Sequence, residues 1–393
     1  MRDTKIYSAV KTLVYAGLLL ASMGPQIMSF FSPKHAPLFA MGNVTSVLSD
    51  FPPNISMGYV CEDCVAPSVH GANIIEKLDG GLFSTWFGGS REGGRDVVLW
   101  GADYSPVTQQ WSLPHSIVGP AEIKAALGRY IKTVGNSVLV RGEQSELSLY
   151  FVSVSVGGWA GSSLNVMTSH DDAKTWDTPR RLVTSPFFNV STLNKSAAVH
   201  MNDGSIFLPV YHEFFGKFAE LLRLDNQGRV LDKVRITHGR HSIQPLLLPL
   251  DPEQALALMR DTESNANAGS NPGRVLLSRS TDAGSHWLAD ERTQLPNPDA
   301  AVAGLRRPDG SLILVFNDTE SGRHSLALAV SRDQGKRWQT VKHFENNRDA
   351  GNEYSYPYLI RGINGTMHLV YTWNRKRIRH VIFNDHWVDG DTK

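Results

Sequence analysis

The chain has 393 residues, 39 of them basic and 38 acidic, and apolar side chains make up 41% of it. That length can bury a sizeable core, and balanced charge with no long run of one sign excludes a nucleic-acid footprint or a basic membrane-covering face. A charged ligand would have to be met by a local cluster.

The N-terminus comes first in chain order. Arg2, Lys5 and Lys11 precede the apolar run TLVYAGLLLASM, Thr12 to Met23. A charged start and an apolar middle are the marks of an export signal, with a buried hydrophobic helix as the competing reading. IMSFF, beyond Gly24-Pro25, lengthens the run toward a membrane anchor. Residues 1–31 are therefore expected to be a signal peptide or anchor, with membrane attachment through residues 12–31 and an exported (periplasmic or extracellular) product. Residues 32–54 read as a loose linker. Cys61 and Cys64, the only cysteines, stand in CEDC. In an exported chain this spacing favours a small local disulfide over a redox motif or a zinc site.

From residue 55 onward the sequence repeats. An apolar stretch, a turn and a second apolar stretch recur six times, from His70, Gly135, Lys195, Ile243, Asp299 and Tyr356. Asp-Gly or Asn-Gly between Val/Ile/Leu-rich runs signals a hairpin. After the second, fourth and fifth copies a third run follows, and then a box: SHDDAKTW from Ser169, SRSTDAGSHW from Ser278 and SRDQGKRW from Ser331. Its Asp can satisfy the turn's own N–H groups, its Gly permits positive φ, and its Trp packs a large ring, so its task is structural.

Four antiparallel strands repeated six times predict an all-β fold, a six-bladed β-propeller over residues 55–393. The sixth copy is short of a fourth strand, so the segment around Ile55 to Cys61 is expected to close the ring and cover an otherwise open sheet edge. In a propeller both ends of each inner hairpin converge on one face. That rule gathers His70, Arg91, Glu92, Asn136, Asn194, Tyr211, Glu213, Gln244, Arg260, Asp261, Asp299, Asp318, Arg323, Glu353, Tyr356, Arg375 and Arg377. Arginine presents a planar fork that suits carboxylates, so the set points to an acidic ligand.

The boxes, the sixfold register and these polar ends resemble the sialidase (neuraminidase) superfamily. The resemblance implies three arginines on a substrate carboxylate, a tyrosine nucleophile assisted by a glutamate, and an aspartate as acid/base. Matched hairpin by hairpin, it places Tyr356 at the nucleophile, Arg260 and Arg323 at two of the arginines, and Asp96 at the acid/base. GGSREGGRD adds Arg91 as a site residue.

Two departures stand out. His70 replaces the first arginine, and the glutamate is replaced near His241-Ser242. A tyrosine without a base beside it is a poor nucleophile, which leaves His241 or Glu353 as stand-ins.

The expected function is hydrolysis of a glycan carrying sialic acid or a uronic acid. Tyr211, Glu213, Gln244, Asp318 and Arg375 complete the substrate-binding set. The alternatives are a uronic-acid lyase using His70 or His241 as base, and a propeller that binds glycan without cutting it. The chain has no dinucleotide fingerprint, P-loop, zinc-protease or serine-nucleophile motif, so no cofactor or metal is expected.

Overall fold

A computed structural model describes residues 37–42, 54–142, 145–185, 189–263, 272–347, 349 and 351–390. The expected signal or anchor, residues 1–31, lies outside the described residues, as does most of the linker. The chain divides at Pro37/Leu38, and every sheet belongs to the second part. Among the described residues no helix is long and apolar enough to cross a membrane.

The strands form six separate antiparallel sheets, the six-bladed propeller expected from the repeats. The innermost strands are Ser68–Glu76, Thr133–Arg141, the interrupted pair Leu193–Asn194 and Val199–His200, Ser242–Pro249, Ala303–Arg306 and Tyr354–Arg361. Each hydrogen-bonds to the next strand of its own blade.

The turns have the predicted chemistry. Gly80, Gly204, Gly310 and Gly365 take φ of 79°, 81°, 83° and 83°. The Asp or Asn before each accepts the N–H of the residue after it, as when Asp203 Oδ1 takes Ser205 N–H at 3.0 Å. Side-chain capping of this kind is what selects Asp and Asn at tight turns.

All three boxes turn alike between a third and a fourth strand. Ser169, Ser280 and Ser331 each donate to the box aspartate, at 2.8, 2.9 and 3.0 Å, and accept a main-chain N–H four residues on at 2.9 Å. The aspartates accept the N–H of Thr175, His286 and Arg337. The tryptophans lie between blades rather than between strands of one blade. Trp287, 8% exposed, packs with Phe39, Phe207 and Leu247, a burial that stabilises by about 1.5–3 kcal/mol.

The core consists of apolar clusters between successive blades. One joins Phe83, Leu99 and Leu149, another Leu258, Leu277 and Leu314. The cluster that closes the ring unites Val60 and Ile378 with Ile74, Leu82 and Trp86.

Ile55–Cys61 pairs antiparallel with Arg377–Phe383 and supplies the last blade's missing strand. Cys61 and Cys64 form a disulfide at its end. Within the stretch read as a loose linker, Phe39 is 2% exposed and bridges to Met201, because an aromatic side chain there has an apolar seam to enter.

Candidate functional site at the channel mouth

The innermost strands of the first, second, fourth and sixth blades each slip register once near their start: His70/Asn73, Val134/Ser137, Ile243/Leu246 and Ser355/Tyr358. A bulge re-aims the extra side chain away from the ladder. Gln244 and Tyr356 occupy two of these bulges with φ of 54° and 55°. Arg375, in the turn before the last blade's third strand, has φ 55°, and Asp299, before the fifth blade, has φ 53°. Left-handed backbone at non-glycine residues is costly and gathers where surrounding structure holds it for function.

Gln244, Tyr356 and Arg375 line one cavity of about 210 Å³ with Arg260, Arg323, Tyr211, Glu213, Asn136 and Glu92. The Tyr356 phenolic oxygen accepts from Gln244 Nε2 at 3.0 Å and from Arg260 Nη1 at 3.3 Å. Gln244 Nε2 also reaches the Tyr211 hydroxyl at 3.4 Å, and its Oε1 accepts from Arg260 Nη1 at 3.2 Å. Arg260 Nε donates to Asp299. Arg323 donates to Glu353 Oε1 at 3.2 Å and to the Asp299 carbonyl at 2.6 Å, and Arg375 Nε donates to Glu353 Oε2 at 2.8 Å. Glu353 is thus clamped between two guanidinium groups just outside the cavity wall.

Burial and charge set the protonation of these groups. Burial raises the Glu353 and Asp299 carboxyls, but Arg375 beside Glu353 and Arg260 beside Asp299 outweigh it and hold both below the ordinary carboxyl range. Burial pushes Glu213 up, against the pull of Lys217 and Arg260. It also pushes Tyr211 well above 10.0. His70 is held well below 6.5 by burial, helped by Arg375, Arg323, Arg260 and Lys195, so the imidazole is neutral.

The structure brings Tyr356, Arg260, Arg323, Arg375, Tyr211, Glu213 and Gln244 to the cavity wall. His70 is 2% exposed, its ring 4.1 Å from that of Tyr356. Gly71, φ 65°, follows it, and a Cβ there would lie 2.7 Å from both Asn136 Oδ1 and the Phe87 ring. His70 and Glu353 stand outside the lining, as do four further expected site residues. Asp96 turns into its own loop, where it accepts Ser90 N–H at 2.7 Å and Ser90 Oγ–H at 2.9 Å. Arg91 is exposed in the same loop. His241 is exposed and bridges through its backbone to Lys217. Asp318 pairs with His343 at 2.7 Å.

The residue beside the tyrosine is Gln244, three positions after His241. The bulge inserts a residue into this strand, and no feature of the sequence marks it. Lys217 and Trp159 also line the cavity. Both stand just before third strands, at Phe218 and Ser162, which start from the same face. Extending the hairpin-end rule to third strands would have found them. Among the described residues no cluster of three or more His, Cys, Asp or Glu could hold a metal ion.

No curated protein matches the chain by sequence. Solved structures with the same fold include a Hadza microbial sialidase (17% identity, TM-score 0.66, covering 81% of this chain and 66% of that one). A Trypanosoma rangeli sialidase matches at 13% identity and TM-score 0.63, over 86% of this chain and 61% of its own. A Dyadobacter fermentans protein of unknown function matches at 15% and 0.62, over 84% and 97%. The chain therefore spans about two thirds of the length of those two sialidases, and at such identities the likeness is one of fold. Residues 80–369, well over half of the sequence, match the BNR repeat-like domain. The chain belongs to that BNR repeat-like family.

Proposed function

We propose that the protein is a glycoside hydrolase of the sialidase-like type acting on an acidic sugar, sialic acid or a uronic acid. The observation that carries this reading is the meeting of Tyr356 with Arg260, Arg323 and Arg375 around one cavity. The guanidinium groups are forks for a sugar carboxylate. Tyr356 would attack or stabilise the anomeric centre, with the Arg260 N–H 3.3 Å from its oxygen supporting any charge that develops there. Glu213, raised by burial, is a carboxyl suited to carry a proton. Asp96 would serve as acid/base only by leaving Ser90. The reading includes export, which the Cys61–Cys64 disulfide supports because such bonds persist in oxidising compartments.

The test is incubation of the purified protein with a sialoside and a panel of uronic-acid glycans, with the products identified. Release of the acidic sugar supports the proposal. No turnover by folded protein on any of them refutes it, and products that absorb in the ultraviolet through a new double bond indicate a lyase.

One observation favours a second reading, binding without cleavage: the group beside Tyr356 is the neutral Gln244. In that case Tyr356→Phe would leave glycan affinity unchanged, and neither form would turn substrate over.

A further inference from the structure

The innermost strand of the third blade is broken, and the break starts at Lys195, between Leu193–Asn194 and Val199–His200. Lys195 is 5% exposed. A lysine is seldom so buried unless its hydrogens are engaged. Its Nζ leaves its own blade and donates to two main-chain carbonyls, Val302 O of the segment entering the fifth blade at 3.2 Å and Pro357 O of the sixth.

Both carbonyls belong to segments that present the cavity. Pro357 directly follows Tyr356, inside the bulge between Ser355 and Tyr358. Val302 lies three residues after Asp299, the carboxylate partner of Arg260. Tyr356 and Asp299 are both left-handed, with φ of 55° and 53°, a conformation that persists only where its surroundings over-determine it. A bulge also takes backbone groups out of the ladder, and a buried carbonyl then needs a donor from elsewhere.

We propose that Lys195 is a positioning residue: one buried ammonium fixes two strained segments, the one that carries Tyr356 into the cavity and the one that carries Asp299, the partner of the cavity-lining Arg260. Lysine suits the task because its three N–H donors lie on a compact head at the end of a long stem. The break in its strand gives that stem its way out of the ladder. The effect on turnover rests on the hydrolase reading above, whereas the effect on Tyr356 geometry does not.

Burial lowers Lys195 to about 7, so the ammonium gives way to an amine near neutral pH. Of the groups that share this channel, His70 is held neutral by burial and by the charge of Arg375, Arg323 and Arg260, and Glu213 is raised by its burial.

The experiment uses full-length protein carrying ring-labelled tyrosine, with the Tyr356 NMR signal assigned by its loss in Tyr356→Phe. In Lys195→Met the Tyr356 signal should move while the signals of distant tyrosines stay. On any glycan that the wild type cleaves, kcat should fall about a hundredfold with KM little changed, as expected when a reacting group is misplaced by about 1 Å. A folded Lys195→Met protein with an unmoved Tyr356 signal overturns the proposal. Should that variant not fold, Lys195→Gln, which keeps N–H donors on a shorter stem, decides: its Tyr356 signal should move, and a folded Lys195→Gln protein with an unmoved signal overturns the proposal. Failure of the wild type to cleave any glycan would count against the hydrolase reading alone, because the signal is read without turnover.

Discussion

Gln244 donates its side-chain N–H to the phenolic oxygen of Tyr356 across 3.0 Å. An amide there orients the phenol but cannot take its proton, so the contact fixes geometry without supplying a base. Gln244→Glu changes one atom of the side chain and adds a carboxylate beside the Tyr356 phenol. The expected outcome is a rise in kcat/KM on a sialoside with a good leaving group, on the order of a hundredfold, the usual contribution of a positioned general base. Steady-state kinetics on both forms checks it. An unchanged rate would mean that proton removal from Tyr356 is not what limits turnover.

Asp299 and Arg260 form an ion pair whose side chains are 8% and 13% exposed. Removing one partner of so buried a pair leaves the other charge uncompensated, at a cost of about 3–5 kcal/mol. Asp299→Ala should therefore lower the urea midpoint strongly at pH 7. The Asp299 carboxyl is buried, yet Arg260 holds it below 3.8. Its stabilising contribution is thus present above the unfolded carboxyl value and lost as pH falls through the lowered one. The difference in stability between wild type and Asp299→Asn should shrink in that acid window, which denaturation at a series of pH values would show.

The fold was legible because its signals are local and repeated. Each Asp-Gly or Asn-Gly turn needs only its own few residues, and the sixth copy's missing strand can be counted, so the sequence itself points to Ile55–Cys61 as the closing strand. The cavity was legible in part for the same reason, since Arg260, Arg323 and Tyr356 stand at hairpin ends. Side-chain direction was not. Asp96 had the expected place in the chain, but Ser90 captures its carboxylate within the loop, a competition between neighbours that spacing does not reveal. The bulge at Ile243/Leu246 moved the tyrosine's partner from His241-Ser242 to Gln244, and Lys195 reads as an ordinary strand residue until its strand is seen to be broken.

Glu213 couples the cavity to pH. Burial raises its carboxyl above 4.5, so the folded protein binds that proton more tightly than the unfolded chain does. The stability this contributes is full below the unfolded value and is lost as pH rises through the folded one. The same ionisation places a negative charge beside Arg260 and should weaken an acidic ligand. Glu213→Gln is expected to bind a sugar acid several-fold more tightly than wild type at pH 8 and about equally at pH 4, where calorimetric titration can compare them. Equal affinities at both values would remove Glu213 from the ligand's surroundings.

The ring is closed by hydrogen bonds between the two ends of the fold, and this makes a prediction about stability that is independent of chemistry. Ile55–Cys61 pairs with Arg377–Phe383, and Val60 and Cys61 are 2% and 5% exposed in the cluster shared by the last and first blades. Deleting residues up to Cys61 would bare the edge of Arg377–Phe383 and open that cluster, at about 1.5–3 kcal/mol for Val60 alone. A bared sheet edge is also a template for pairing with another chain. The shortened protein should unfold at lower urea and run as aggregates in size-exclusion chromatography. By contrast Met57→Lys, at a position 40% exposed on the same strand, should elute as wild type does, with stability within about 0.5 kcal/mol of it. A monomeric deletion protein of undiminished stability would mean that the propeller does not depend on its N-terminal strand for closure.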